Sequence, residues 1–94
     1  MTARRQVRVT VSGRVQGVWY RAWTTEEASE LGLDGWVRNR RDGSVEAVFA
    51  GRSEDIDRML ALCREGPPLA IVDKVACVDD QSSLDPGFRQ LPTA

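Results

Sequence analysis

The apolar period of the chain changes abruptly across one short run, GRVQGVWYR at positions 13–21. Before it, Val7, Val9 and Val11 alternate with Arg8, Thr10 and Ser12. A repeat of two sends every second side chain to one face, so residues 6–12 predict a half-buried strand. After it, Tyr20, Trp23, Ala28 and Leu31 fall near one face of a helical repeat, with Glu26 and Glu30 turned away. Gly32 suits the position just past the helix end, with Leu33 as its apolar follower. A strand must therefore feed a helix through the segment 13–19, which holds Gly13, Gly17 and Arg14, with Arg21 just inside the helix.

The rest of the chain repeats the alternation of periods. Residues 35–39 and 44–50 read as two strands, joined through Asp42-Gly43, a pair that tolerates the positive φ of a tight hairpin. Ser53 is a suitable N-cap, with Glu54 and Asp55 in the dipole-favoured first turn. Ile56, Met59, Leu60 and Cys63 then form the stripe of a second helix, which Gly66-Pro67-Pro68 stops. Residues 70–78 supply a fourth strand, and 88–91 suffice for a short edge strand. The order is strand, helix, strand, strand, helix, strand. Two right-handed crossovers around a central hairpin give an α+β, ferredoxin-like βαββαβ sandwich, its antiparallel sheet carrying both helices on one face. At 94 residues, positions 1–94 fit one domain.

Charge is uneven along the chain. Residues 1–41 hold eight arginines against four acids, and residues 42–94 hold five cations against ten acids. A basic half can attract an anion, whereas scattered solvated arginine would do nothing of the kind. No apolar run approaches the ~18–20 residues of a membrane span. The basic start, Met1-Thr-Ala-Arg-Arg-Gln6, leads into a strand pattern rather than the apolar core of a signal peptide, so a cytoplasmic protein is expected. Cys63 and Cys77 lie in apolar patterns without metal-ligand spacing and read as buried, reduced thiols.

The segment between strand and helix has a chemical reading. A helix N-terminus presents unpaired amides and partial positive charge, a ready anion site. Glycines at 13 and 17 allow successive N–H groups to turn inward as a nest. Arg21 adds a planar, permanently charged fork that matches phosphoryl oxygens. Neither a Walker loop nor a dinucleotide fingerprint fits, because Gly17 is followed by Val18-Trp19 and no G-x-G opens the run.

Val11-Ser-Gly13-Arg-Val15-Gln16-Gly17-Val18-Trp-Tyr20-Arg21 resembles the first signature of the acylphosphatases, and residues 35–51, from Gly35-Trp36-Val37-Arg38-Asn39 onward, resemble the second. The resemblance implies hydrolysis of the carboxyl–phosphate anhydride of small acyl phosphates to a carboxylate and inorganic phosphate. It implies no metal or other cofactor, and the same ferredoxin-like fold. It also implies that the amides of Arg14, Val15, Gln16, Gly17, Val18 and Trp19, with the side chain of Arg21, hold the phosphoryl group, while Asn39 positions the attacking water. Tyr20, Arg40 and the ending Phe88-Arg-Gln-Leu-Pro92 depart from the usual pattern. Arg40 bears on substrate access, and the ending bears on the length of the last strand.

The chemistry is coherent without histidine, which the chain lacks. A carboxylate leaving group needs no general acid, and a loose phosphoryl transition state is served by positioning and electrostatics. An amide such as Asn39 accepts from water through its oxygen. Competing chemistries fare worse. A cysteine phosphatase needs arginine six residues after its nucleophile, where Leu69 and Ser83 stand. Asp55 and Asp57 fall in a helix's first turn, where they complement the dipole. Glu26, Glu27 and Glu30 read as a solvated face, Trp36 as a sheet residue, and Trp19 and Trp23 as core or rim packing, with flanking a ligand beside the connection as the alternative. An RNA recognition motif shares the element order, but the third strand offers Phe49 alone as an aromatic. The expectation is a monomer acting on a small acyl phosphate, without nucleic acid or membrane partners. A non-catalytic, anion-binding module of the same fold is the alternative.

Overall fold

A computed structural model describes residues 3–94; Met1 and Thr2, the start of the basic N-terminal run, lie outside the described residues. Seven elements follow in order: β1 (Arg4–Arg14), α1 (Tyr20–Glu30), β2 (Asp34–Asn39), β3 (Val45–Arg52), α2 (Ser53–Glu65), β4 (Ile71–Asp79) and β5 (Phe88–Gln90). They form one five-stranded sheet in the order β4-β1-β3-β2-β5. The pairs β1–β3, β1–β4 and β2–β3 are antiparallel, as expected, whereas β5 joins β2 in parallel and makes the sheet mixed. Residues 80–87 carry the chain from one sheet edge to the other, past Gln6, whose carbonyl accepts from the Asp80 N–H, to Asp34, whose carboxylate accepts from the Gly87 N–H. Phe88 stacks on Phe49 at 5.4 Å, which holds this short edge strand against the core.

The core lies between the sheet and its two helices. Val7, Val9 and Val11 of β1, Val37 of β2, and Val45, Ala47 and Phe49 of β3 face it. The expected stripe Ile56, Met59, Leu60 and Cys63 covers them from α2, and Tyr20, Thr24 and Ala28 from α1. Helix α1 ends as its sequence predicts: the Leu33 N–H donates to the Ala28 carbonyl and the Gly32 N–H to Ser29, a Schellman closure. Helix α2 begins one residue earlier than expected. Arg52 is its N-cap residue, Ser53 already opens the helix, and no side chain caps it. Strand β3 runs straight into this helix without a loop, so the turn falls on Arg52, while the Ser53 N–H is taken by the Ala3 carbonyl at 2.9 Å. The cysteines part company. Cys63 is buried, but Cys77 is exposed, because β4 is an edge strand with little packed over it.

On the opposite face of the sheet the arginines are consumed by carboxylates. Glu46 is buried and accepts hydrogen bonds from Arg8 and Arg38 at 2.8 Å and from Arg40 at 3.1 Å. Arg8 also reaches Asp80 and Arg4 pairs with Asp34, while on the helix side Arg5 pairs with Asp57 of α2. Trp36 lies under the Arg8 and Arg38 guanidinium groups, 5.6 and 4.7 Å from its ring centre. The charge asymmetry of the sequence is thus largely folded away. Of the arginines in residues 1–41, Arg14, Arg21 and Arg41 have no carboxylate partner among the described residues.

This network sets a pH dependence. Burial raises the Glu46 carboxyl, but hydrogen bonds from Arg8, Arg38 and Arg40 outweigh it and the net shift is downward. The Ser82 hydroxyl, then Gln6 and Arg8, hold Asp80 down at about 2. Carboxyls depressed in the folded state contribute stability that is fully present above their unfolded pKa and lost as pH falls through the folded value. The melting temperature is expected to hold steady down to about pH 5, then fall between about pH 4 and 2. Thermal melts across that range, with Asp80→Asn losing part of the acid-dependent drop, check it.

Candidate active site

The candidate site opens where β1 hands over to α1. Strand β1 runs further than the alternation suggested, to Arg14, because Gly13 pairs with Val72 and Arg14 with Ile71 beyond an irregularity after Ser12. Gly13 is required at this point: its φ is 122°, and a Cβ would meet the Ile71 carbonyl oxygen at 2.2 Å. The true connection is residues 15–19. Within it Gly17 takes a φ of 73°, and Trp19, unusually for a bulky residue, takes 67°. That left-handed conformation costs an L-residue about 1–2 kcal/mol. Helix α1 starts immediately after it with no side-chain cap and no acid in its first turn, unlike α2 with Glu54 and Asp55. Its opening N–H groups are left for another acceptor.

A cleft of about 410 Å³ lies here, lined by Val15, Gly17, Trp19, Tyr20, Arg21, Ala22, Asn39 and Gln90. Arg21 is the only charged residue among them, so the cleft favours an anion and offers no carboxylate base. Asn39 ends β2 opposite Val45. The Asn39 carbonyl accepts from the Ala94 N–H and the Ala94 carbonyl from the Arg41 N–H, both at 3.0 Å, which fixes the backbone on each side of the cleft residue. The Asn39 Oδ1 is buried and has no hydrogen-bond partner among the described residues. Leaving a buried acceptor unpaired costs about 1–3 kcal/mol.

The sequence-predicted residues divide. Val15, Gly17, Trp19, Arg21 and Asn39 line the cleft together, whereas Arg14, Gln16 and Val18 do not. Arg14 belongs to the β1–β4 ladder, and Val18 is packed in the core. The Gln16 side chain donates to the Arg40 carbonyl at 2.7 Å and the Ser44 carbonyl at 2.8 Å, tying the connection to the β2–β3 hairpin. In that hairpin the Asp42 carboxylate accepts from the Ser44 N–H and hydroxyl. Arg40 does not reach the cleft; it turns to Glu46 on the other face of the sheet. Trp19 is not packed as expected but 77% exposed, since its left-handed backbone aims the ring outward. Ala22 and Gln90 were not anticipated. Ala22 follows Arg21 in the first turn of α1, a position that could have found it. Gln90 arrives only through the parallel pairing of β5 with β2, which leaves no local signal.

Two groups near the cleft are chemically quiet. Burial pushes the Tyr20 phenol up, and its O–H donates to the Cys63 carbonyl at 2.7 Å. Burial likewise pushes the Cys63 thiol up to about 12, so it is no thiolate nucleophile at neutral pH. Among the described residues no group of three or more cysteines, histidines or acids is placed to hold a metal, and no helix is long and apolar enough to cross a membrane.

Comparison with known proteins bears on this geometry directly. The acylphosphatase family model matches residues 7–90. An acylphosphatase of Rhizorhabdus wittichii is 56% identical over 86 residues, covering 92% of this chain and 87% of that one. The structure of an acylphosphatase from Coxiella burnetii superimposes with a TM-score of 0.89 at 38% identity, covering 94% and 93% of the two chains. That of the Bacillus subtilis acylphosphatase gives 0.86 at 32% identity, covering 92% and 97%. The matched span runs from the first core valine of β1 to the last cleft residue, Gln90, and so takes in every element that builds the site: the chain belongs to the acylphosphatase family.

Proposed function

We propose that this chain, positions 1–94 acting as one domain, hydrolyses small acyl phosphates to a carboxylate and inorganic phosphate. The observation that carries the reading is the pairing, in one cleft, of the partnerless Asn39 Oδ1 with Arg21, which no carboxylate neutralises. The phosphoryl group sits against the amides of the connection 15–19 and the helix N-terminus, clamped by the Arg21 fork. Asn39 accepts one O–H of the attacking water. As the water oxygen bonds to phosphorus, the bond from phosphorus to the carboxyl oxygen breaks and the carboxylate leaves with its electron pair. The protons of water pass to phosphoryl oxygens, so the product is dihydrogen phosphate, which then equilibrates with solvent. Arginine and amides already meet the developing charge, so no metal has a part to play.

Free thiols at Cys63 and Cys77 accord with the cytoplasm. The sheet face that would stack bases in an RNA-binding relative carries Trp36 already covered by arginines, themselves paired with Glu46 and Asp80. Nucleic acid is therefore not the partner. The decisive assay is phosphate release from acetyl phosphate, with p-nitrophenyl phosphate as the monoester control and with a chelator in parallel. Rapid release from acetyl phosphate, little from the monoester, and no effect of the chelator are expected. Phosphate binding without turnover would instead identify a non-catalytic anion-binding module, and rescue of a chelated protein by a divalent cation would overturn the metal-free mechanism.

A further inference from the structure

We propose that Gln16 is a positioning residue for the reaction: its side-chain carboxamide fixes the connection 15–19, which meets the phosphoryl group, against Asn39, which holds the attacking water. The proposal rests on the acyl phosphate reading above and deepens it by naming the contact that brings the two halves of the site into register.

Those halves stand on strands that are not neighbours in the sheet. The connection follows β1 and Asn39 ends β2, and β3 lies between the two strands. Two strand spacings amount to about 10 Å, too far for a ladder hydrogen bond to set one half against the other. Gln16 crosses that gap. Its Nε2 donates to the Arg40 carbonyl at 2.7 Å and to the Ser44 carbonyl at 2.8 Å. Arg40 directly follows Asn39, and Ser44 directly precedes Val45, the ladder partner of Asn39. Among the described residues no other hydrogen bond joins residues 15–19 to residues 39–44. The hairpin does not need these bonds in order to close. The Arg40 N–H already donates to the Ser44 carbonyl at 2.8 Å and the Gly43 N–H to the Arg40 carbonyl at 3.2 Å, while Asp42 accepts from the Ser44 N–H. Each carbonyl that Gln16 reaches therefore keeps a donor without it. What the carboxamide adds is the placement of one segment against the other. Attack on phosphorus needs that placement, because a reacting group displaced by about 1 Å loses about 100-fold in rate.

The test is a double-mutant cycle on acetyl phosphate hydrolysis that combines Gln16→Met with Asn39→Ala. Methionine keeps the length of the side chain and removes its donors. Gln16→Met alone is expected to lower kcat about tenfold or more and to leave the affinity for inorganic phosphate within about threefold, because Arg21 and the amides remain. In the Asn39→Ala background the same substitution is expected to cost less than about twofold, since the water has already lost its holder. A merely structural role lowers the folded fraction by the same factor in both backgrounds. In the wild-type protein itself, inorganic phosphate is expected to slow amide hydrogen exchange at residues 40–44 as well as 15–21, although none of residues 40–44 lines the cleft. Equal losses in the two backgrounds, normal kcat in Gln16→Met, phosphate affinity that falls in step with kcat, or protection confined to residues 15–21 overturns the proposal and leaves the acyl phosphate reading intact. Wild-type protein that does not hydrolyse acetyl phosphate overturns both.

Discussion

Asn39→Ala is expected to lower kcat about 100- to 1,000-fold while inorganic phosphate binds with nearly unchanged affinity. The separation follows from what Asn39 touches. Its Oδ1 has no partner among the described residues, and in the proposed mechanism it bonds to the attacking water, which gains its importance only as the oxygen approaches phosphorus. In the same proposal the phosphate oxygens are held by other groups, Arg21 and the amides, so a ground-state anion would not miss Asn39. Stability gives a second signature. Asn39 Oδ1 makes no hydrogen bond to another described residue, so the melting temperature is expected to stay close to that of wild type as activity collapses. Backbone bonds from Ala94 and the ladder with Val45 keep the strand end in place whichever side chain stands at 39. Measuring kcat, phosphate affinity and melting temperature on one preparation checks all three. Normal kcat in a folded Asn39→Ala protein would end the water-positioning role, and a parallel loss of phosphate affinity would recast Asn39 as a binding group.

Arg21→Ala is expected to damage both quantities together, with kcat/KM down about 100-fold or more and phosphate binding weakened in step. Arg21 is the only charged residue lining the cleft, and no carboxylate in the described structure competes for it. The fork is available to the ligand at no cost in broken ion pairs. Lysine supplies the charge without the two parallel donors, so Arg21→Lys should keep the fold and recover little of the rate. Titration with inorganic phosphate followed by amide hydrogen exchange locates the effect: protection of the residues around 15–21 should appear in wild type and vanish in Arg21→Ala. A well-folded Arg21→Ala with near-normal turnover would exclude the phosphate cradle altogether.

Much of the site was legible because it is local. The change of period across residues 13–21 declares a strand, a connection and a helix N-terminus, and an arginine in the first turn of that helix has only a small region to occupy. The hairpin was equally plain, since Asp42-Gly43 between alternating runs leaves one pairing, and Asn39 falls at its shoulder. The helical stripe from Ile56 to Cys63 and the Schellman closure at Gly32 were read correctly for the same reason: both are set within a few residues. What misled was each quantity that depends on residues far apart. Eight arginines against four acids in residues 1–41 suggested a basic surface, but acids later in the chain pair with Arg5, Arg8, Arg38 and Arg40, Glu46 alone accepting from three. Cys77 read as buried because its neighbours are apolar, yet only the sheet order puts β4 at an edge.

Sequence by itself determined the element order, the two amphipathic helices and the connection that opens α1, and the resemblance of its motifs singled out Arg21 and Asn39, which share one cleft. Period, turn chemistry and a helix terminus act over one or two turns of chain, and they are fully written in neighbouring residues. Tertiary structure alone decided that β5 lies parallel to β2 and brings Gln90 to the cleft, that Gln16 ties the connection to the hairpin, and that Asn39 Oδ1 is buried without a partner. It also decided that Trp19 stands exposed at the mouth of the cleft rather than in the core. Each of these is a pairing across many residues or the hand of a single backbone angle, and neither leaves a period in the sequence for local reasoning to find.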